Sequence, residues 1–285
     1  MNTIVENKPV PQNFILAPIT DDQFILGDGN LSAEVLMPNG HGWDEYLPLA
    51  EVQSRGSLET SCCSAYGTLN CIEAIGKKKY GASFQNNLSE RYLSIMAGMD
   101  GNGGFPHLIA ETLRKESGAI PEVFLPFTDK ITTLNQYFSP KPMSYSLFKV
   151  GRHWLTKYTV GHEWVFMGGT ITEKQTKMKE ALKYSPLGVA GYAWSLHTDG
   201  KYYHDGPDIH WFQIYDFKEG EYWLANDTYF PFVKKLDWNY DFGYCKRYSL
   251  TRKLGGEHLT DEPGNAILPY SLYLLKYFIS KFTNR

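Results

Sequence analysis

Cysteine is scarce in this chain of 285 residues: there are four, and two of them, Cys62 and Cys63, are adjacent. So few cysteines exclude a disulfide framework, and they are not arranged as the C-x-x-C pairs of a zinc site. An H-E-x-x-H pattern is also missing from the sequence, so we expect no metal and no other cofactor. If a cysteine has a function here, it acts as a thiol.

An excess of positive charge is missing too, since 28 Lys and Arg stand against 31 Asp and Glu, for a net charge of −3. This balance leaves no basic footprint for phosphate contacts, so nucleic acid is excluded as the main partner. The N-terminal sequence has no basic segment followed by an apolar core, as a signal peptide would. Together with the few cysteines, this predicts a reducing, cytoplasmic setting.

The chain divides by composition into four segments. Residues 1–50 are rich in Pro, Asn and Gly and predict an N-terminal arm. Residues 51–130 have apolar residues at helical spacing and predict a helical lobe. Residues 131–254 have aromatic and β-branched stretches joined by short turns, which predicts a mostly antiparallel β lobe. Residues 255–285 form a polar linker and an apolar C-terminal segment. The predicted fold class is therefore α+β.

The C-terminal segment is apolar on most faces from Ala266 to Phe282, but it is interrupted by Lys276 and Lys281. It is shorter than the ~20 residues that a membrane-spanning helix needs. We expect it to pack on the body of the protein or on a protein partner. An interfacial membrane anchor is the alternative.

A polar loop from Gln53 runs into a predicted amphipathic helix, and Cys63 lies where that helix begins. The N-terminus of a helix has unpaired backbone N–H groups and a positive dipole end, both of which favour a thiolate over a thiol. Cys63 is therefore a candidate nucleophile. The alternative is that Cys62 and Cys63 are two small buried residues packing at a helix start.

His210 opens a predicted strand, and a second strand follows after a short turn and ends at Asn226 and Asp227. If the two strands pair antiparallel, His210 lies near one of these side chains. The pair would then supply a base and its orienting group for a thiol from the helical half. Taken alone, His210 is better interpreted as a hydrogen-bonded strand histidine, and only the arrangement as a set points to a base. Spacing leaves Asn226 and Asp227 both open.

The order Gln53, Cys63, His210 and Asn/Asp resembles that of the papain-like cysteine peptidases. Further matches to the motifs of that family follow along the chain: Gly56 and Ser57 in the loop, Ile72-Glu73 in the helix, Leu88-Ser89-Glu90, and Gly101-Asn102-Gly103-Gly104-Phe105-Pro106. The distance to Ile72-Glu73 selects Cys63 over Cys62 as the family's nucleophile. The resemblance spans about residues 50–250.

The resemblance implies a two-lobe fold, a helical lobe followed by an antiparallel, β-barrel-like lobe, with the active site in a cleft between them. It implies that Cys63 is the nucleophile, that His210 is its base and that Gln53 belongs to the oxyanion hole. Asn102, Gly103, Gly104 and Phe105 would line the substrate cleft. Thr228-Tyr229 resembles the family's Ser-Trp and selects Asp227 as the orienting residue, whereas the distance from His210 selects Asn226.

Asp227-Thr228-Tyr229, followed by the segment Lys234 to Trp238, also resembles a divergent branch of the family found in tailed phages and uncultured bacteria. The setting that this implies is cytoplasmic or virion-associated. The implied activity is cleavage of polypeptide substrates. Ser64, Trp211 and a long loop before Cys63 depart from the family's pattern, so a catalytically silent structural or binding module is the alternative. Acyl transfer by the same three groups is chemically permitted as well.

Overall fold

The computed structural model describes residues 4–7, 31–253, 270–275 and 279. Most of the predicted N-terminal arm and most of the C-terminal segment lie outside these residues. Within them one strand, Ile4–Asn7, and a small ribbon come early, most helices follow, and the other strands of the sheet come last with one helix, Ile171–Ala181, among them. The predicted α+β class is therefore confirmed.

Six α-helices lie between residues 31 and 253: α1 (Cys63–Tyr80), α2 (Glu90–Met96), α3 (Pro106–Glu111), α4 (Leu134–Tyr137), α5 (Tyr145–Lys157) and α6 (Ile171–Ala181). Helix α1 is the centre of the helical half, and its residues from Cys63 to Gly76 are all buried. It ends at Gly81, whose positive φ of 55° suits a residue without a Cβ. Three lysines in the last turn oppose the negative end of its dipole.

Nine strands form one sheet in the order β1-β6-β7-β10-β9-β8-β5-β11-β4. Their bounds are β1 Ile4–Asn7, β4 Tyr158–Phe166, β5 Leu187–Gly191, β6 Ser195–His197, β7 Tyr202–Tyr203, β8 His210–Lys218, β9 Tyr222–Asn226, β10 Val233–Asp237 and β11 Cys245–Arg252. A separate two-stranded ribbon joins β2 (Ser54–Arg55) to β3 (Leu58–Glu59). All pairs in the large sheet are antiparallel except β10 with β7. In the described residues the sheet ends at β1 and β4 and is not closed, so the expected barrel-like lobe is an open, mostly antiparallel sheet.

Helix α1 packs directly on β8 because glycines leave room at the contact. A Cβ built on Gly67 would lie 2.7 Å from the ring of Trp211, and one built on Gly188 would lie 2.6 Å from it. The Trp211 ring therefore occupies space that only glycine leaves open on the helix and on β5. This close approach places the N-terminus of α1 next to the start of β8.

The described part of the C-terminal segment packs on the body. Tyr273 stacks on Phe148 of α5 at 5.6 Å and its hydroxyl accepts from the backbone N–H of Met143, while the Tyr270 hydroxyl donates to the Met143 carbonyl. Among the residues that the structure covers, no helix combines the length and apolar character needed to cross a membrane.

The helical half contains four mutually close carboxyl groups, those of Glu51, Glu73, Glu90 and Glu122. Glu73 and Glu90 are fully buried, and Glu73 accepts the backbone N–H of Leu88 at 2.6 Å. Burial, reinforced by the neighbouring carboxylates, raises the pKa of Glu73 and of Glu90 well above the ordinary value. The cluster is therefore stable in its protonated form.

We predict that the protein loses stability as the pH rises from 5 to 8. Burial raises the pKa of Glu122 from 4.5 to about 7. A carboxyl with a raised folded-state pKa stabilises the fold fully below its unfolded pKa, and this contribution is lost as the pH passes the folded value. In Glu122→Gln the amide still accepts from Phe127, so the decline in unfolding free energy should be smaller by about 1 to 3 kcal/mol.

Urea denaturation at pH 5 and pH 8 measures this difference. Glu45→Gln, which changes an exposed carboxylate, is the control and should leave the decline unaltered. An equal decline in Glu122→Gln and in the unmodified chain would contradict the prediction.

Candidate active site

Cys63 is the first residue of α1, and its side chain lies at the junction of the helix with the sheet. It packs in a small cluster with Trp164, Ala190 and Trp211. Because it heads the helix, its backbone N–H is among those that have no acceptor within the helix. Only 3% of Cys63 is exposed.

His210 is the first residue of β8 and is 1% exposed. Its Nε2 lies 2.6 Å from Oδ1 of Asp227, and the side chain of Cys63 lies near enough to the imidazole to raise its pKa. The ring of Trp194 meets the imidazole edge-on at 5.7 Å, and the ring of Tyr229 lies at 5.4 Å. The structure thus brings a thiol, an imidazole and a carboxylate into one chain of contacts, walled by aromatic rings.

Asp227, not Asn226, faces His210. The Asn226 amide donates to the side chain of Gln213, which lies opposite it on β8. An irregularity between Ile214 and Asp216 gives β8 one residue more than β9 in their pairing. The one-residue difference between the two alternatives therefore arises inside strand β8.

The electrostatics of the site favour a protonated His210 beside an ionised Asp227. Burial by itself lowers the pKa of His210, but the charge and hydrogen bond of Asp227, helped by Cys63, raise it to about 10. Burial likewise opposes ionisation of Asp227, yet His210 and Lys234 hold the pKa of this carboxyl well below its ordinary range. His210 therefore carries a proton at neutral pH, which is the form that pairs with a thiolate.

Lys234 is a member of the site to which the sequence analysis assigned no role. Its ammonium donates to the second oxygen of Asp227 at 2.8 Å and is buried. The alternation of buried and exposed residues along β10 points it inward, next to the exposed Lys235. The alternation was present in the sequence, but a lysine at a buried position is rare enough that pattern alone does not assign it.

Gln53 reaches the site but is already engaged. Its side-chain nitrogen donates to Glu59 at 2.7 Å and to the Tyr229 hydroxyl at 2.8 Å, while its oxygen accepts from Thr228. Tyr229 in turn donates to the other oxygen of Glu59, and the Ser61 N–H donates to the first. Both amide hydrogens of Gln53 are therefore directed at a carboxylate and a phenol.

The glycine-rich segment lies beside Cys63. A Cβ on Gly104 would approach the Ser64 hydroxyl to 2.7 Å, and Phe105 packs on the cluster that contains Cys63. Gly103 has a φ of 90°, which glycine adopts without strain. Asn102 is exposed at the turn, where its backbone N–H donates to Asp100. Within the described residues no group of three or more His, Cys, Asp or Glu side chains is arranged to hold a metal ion.

Comparison with solved structures identifies the architecture. The chain superposes on the clostridial cysteine protease Cwp84 after propeptide cleavage with a TM-score of 0.55 at 16% identity, covering 74% of this chain and 57% of that one. It superposes on the proform of the ragweed pollen allergen Amb a 11, a cysteine protease, with a TM-score of 0.51 at 16% identity, covering 77% and 67%. For digestive procathepsin L 3 of Tenebrio molitor the TM-score is 0.50 at 14% identity, covering 80% and 73%. This chain has the papain-like fold.

The papain-like fold predicted from the sequence is thus confirmed, although at such identities the likeness extends to the fold alone. The chain spans little more than half of the clostridial protein and about two thirds of the ragweed one. No protein-family model matches it, and neither does any curated protein sequence. The site residues therefore have to be argued from this chain's own geometry.

We predict that Gly104→Ala destabilises the protein by about 1 to 3 kcal/mol, because the added methyl group would lie within 2.8 Å of both Ser64 and Met99. Gly168→Ala is the matched control, since a Cβ there meets nothing within 4 Å. Chemical denaturation of the two variants measures the difference. Equal unfolding free energies for both would show that the glycine loop is not packed against the start of α1.

Proposed function

We propose that the protein is a cysteine peptidase that hydrolyses polypeptides through Cys63, His210 and Asp227. The observation that carries the proposal is the buried His210, whose Nε2 lies 2.6 Å from Oδ1 of Asp227 and whose pKa the neighbouring Cys63 also raises. A protonated imidazole stabilised by a carboxylate is the partner that keeps a neighbouring thiol ionised at neutral pH.

In the proposed reaction the Cys63 sulfur forms a bond to the carbonyl carbon of a peptide. The carbon–nitrogen bond then breaks as His210 gives its proton to the departing amine. A water molecule next loses a proton to His210 and attacks the thioester, which releases the acid and restores the thiol. Asp227 keeps the imidazole oriented and stabilises its protonated form throughout.

The developing oxyanion would be held by the backbone N–H of Cys63 and by the side-chain amide of Gln53. One such donor contributes about 10²–10³ in rate. Gln53 can supply it only by turning an N–H away from Glu59 or Tyr229. The substrate would pass along the segment Asn102, Gly103, Gly104 and Phe105. This assignment is supported by the packing of Gly104 against Ser64 and of Phe105 on the cluster that contains Cys63.

A catalytically silent module is the second candidate, and one observation favours it. Cys63 and His210 are 3% and 1% exposed, and Trp164 and Phe105 pack beside the thiol. A substrate can reach Cys63 only if part of this cover moves. The intact set of thiol, imidazole and carboxylate favours the peptidase.

A narrower assignment is also proposed. Asp227-Thr228-Tyr229 with Lys234 resembles the branch of papain-like proteins encoded by tailed phages and uncultured bacteria, and we place the chain there. The contacts of this segment support treating it as one unit. Asp227 bonds to His210, Thr228 bonds to Gln53, and Tyr229 bonds to Glu59.

The central prediction is that iodoacetamide labels Cys63 at pH 6 at least about tenfold faster than the other cysteines. Burial raises the pKa of Cys62 to about 12 and those of Cys71 and Cys245 well above the ordinary value, so these thiols should stay inert. Mass spectrometry of tryptic peptides measures the labelling. His210→Ala should abolish the selectivity, and Cys63→Ala should abolish release of fluorescent peptides from labelled casein.

Three outcomes separate the candidates. Selective labelling with casein cleavage supports the peptidase, and selective labelling without cleavage of casein or of a diverse peptide library supports acyl transfer or a narrower substrate. Labelling of Cys63 no faster than of Cys62 contradicts an activated thiol and leaves the silent module.

We also predict that Glu59→Gln raises kcat, by about two- to tenfold, with little change in KM. Removal of the carboxylate charge weakens the bond that holds Gln53 while keeping an acceptor for the Ser61 N–H. Steady-state kinetics on a peptide from the casein digest measures the effect. Gln53→Ala is the companion variant, expected to lower kcat by about fivefold, because the amide first has to leave its bond to Glu59. An unchanged kcat in Gln53→Ala would exclude this side chain from the oxyanion hole.

A further inference from the structure

Lys234 presents a fully buried ammonium group to the site. Its side chain is 1% exposed, and its Nζ donates to Asp227 at 2.8 Å and to the carbonyl oxygens of Tyr229 and Pro231, each at 2.6 Å. These bonds use all three ammonium hydrogens. The ring of Trp194 covers the ammonium at 4.7 Å.

Asp227 is shared between two cations. Oδ1 faces Nε2 of His210 at 2.6 Å and Oδ2 faces Nζ of Lys234 at 2.8 Å, and the carboxylate has no exposure to solvent. Lys234 is held by two backbone carbonyls and an aromatic ring as well, so its place does not depend on Asp227 alone. A charge buried in this way acts strongly on its neighbours because little water screens it.

We propose that Lys234 is a positioning residue that balances the charge of Asp227 and thereby sets how firmly His210 holds its proton. Its meaning for catalysis rests on the function proposed above. Among the described residues, the charged or titratable groups next to His210 are the Cys63 thiol on α1, Asp227 after β9 and the Tyr229 phenol. Lys234 on β10 lies behind Asp227, and Glu59 lies behind the phenol.

The sign of the effect follows from the charges. With Cys63 ionised, the thiolate, imidazolium, carboxylate and ammonium sum to zero. Without Lys234 the remaining three sum to −1, so the imidazolium is held more firmly and gives up its proton less readily. Without Asp227 but with Lys234, a buried cation stands uncompensated behind the imidazole, and the imidazolium is destabilised.

The test is an NMR titration of His210 in the full chain with ¹³C-labelled histidine, assigned by comparison with His210→Gln. In Lys234→Met the midpoint should rise by about one pH unit, and in Asp227→Asn it should fall by at least as much. The double variant Asp227→Asn with Lys234→Met removes both charges, and its midpoint should lie above that of Asp227→Asn. Lys235→Met removes an exposed charge from the same strand and should leave the midpoint unchanged.

A Lys234 that merely held the turn together would change stability but not the His210 midpoint. An unchanged midpoint in folded Lys234→Met, equal to that of Lys235→Met, therefore overturns the proposal. If Lys234→Met does not fold, the double variant decides instead, because it contains no unpaired buried charge: a midpoint no higher than in Asp227→Asn overturns the proposal.

The titration needs neither a substrate nor alkylation of Cys63, so it separates this proposal from the proposed function. Selective alkylation of Cys63 tests the function, while the His210 midpoint tests Lys234. Where the peptidase activity holds, Lys234→Met should lower kcat with little change in KM and move the alkaline limb of the kcat profile to higher pH. Lys235→Met should do neither.

Discussion

The charge of Asp227 is the constraint on which the site depends, because it is carried where no water reaches it. A carboxylate in such a place is stable only between cations or several donors, and the loss of one partner costs several kcal/mol. Three neighbouring strands in the order β10-β9-β8 meet this requirement: β10 contributes Lys234, β8 contributes His210, and Asp227 directly follows β9. The register of these strands therefore also determines the charge state of the imidazole.

The thiol comes from the other half of the molecule, and packing determines whether it reaches the imidazole. Trp211 follows His210 on β8 and fills the space left by Gly67 and Gly188. A methyl group at either position would push the helix from the sheet, and the Cys63 sulfur would move with it. The two glycines therefore affect the chemistry without touching the reacting groups, because hydrogen bonding to the imidazole tolerates a displacement of only a few tenths of an ångström.

Local patterns in the sequence predicted the parts of the site that are local. Helix α1 begins at Cys63 and β8 begins at His210, as the apolar spacing and the strand pattern indicated. Helix α5 was not predicted, because its buried residues include Phe148 and Trp154 in a stretch whose aromatic content also suits a strand. The bonds of Gln53 to Thr228 and Tyr229 join residues more than a hundred positions apart, and the burial of Lys234 depends on the final register of its strand, so no local pattern contains them.

The hydrogen bond between Gln53 and Glu59 is compatible with catalysis, as the free energies of the two competing hydrogen bonds show. A hydrogen bond to a charged group contributes about 1.5–3 kcal/mol, whereas a donor aimed at a developing oxyanion contributes about 2.7–4 kcal/mol. The amide therefore gains by leaving Glu59 only when the oxyanion forms, and the net gain is about 1 kcal/mol. Gln53 would then donate to the oxyanion only in the transition state, and the lost bond to Glu59 would reduce the net stabilisation. The Cys63 backbone N–H would contribute the larger share of it.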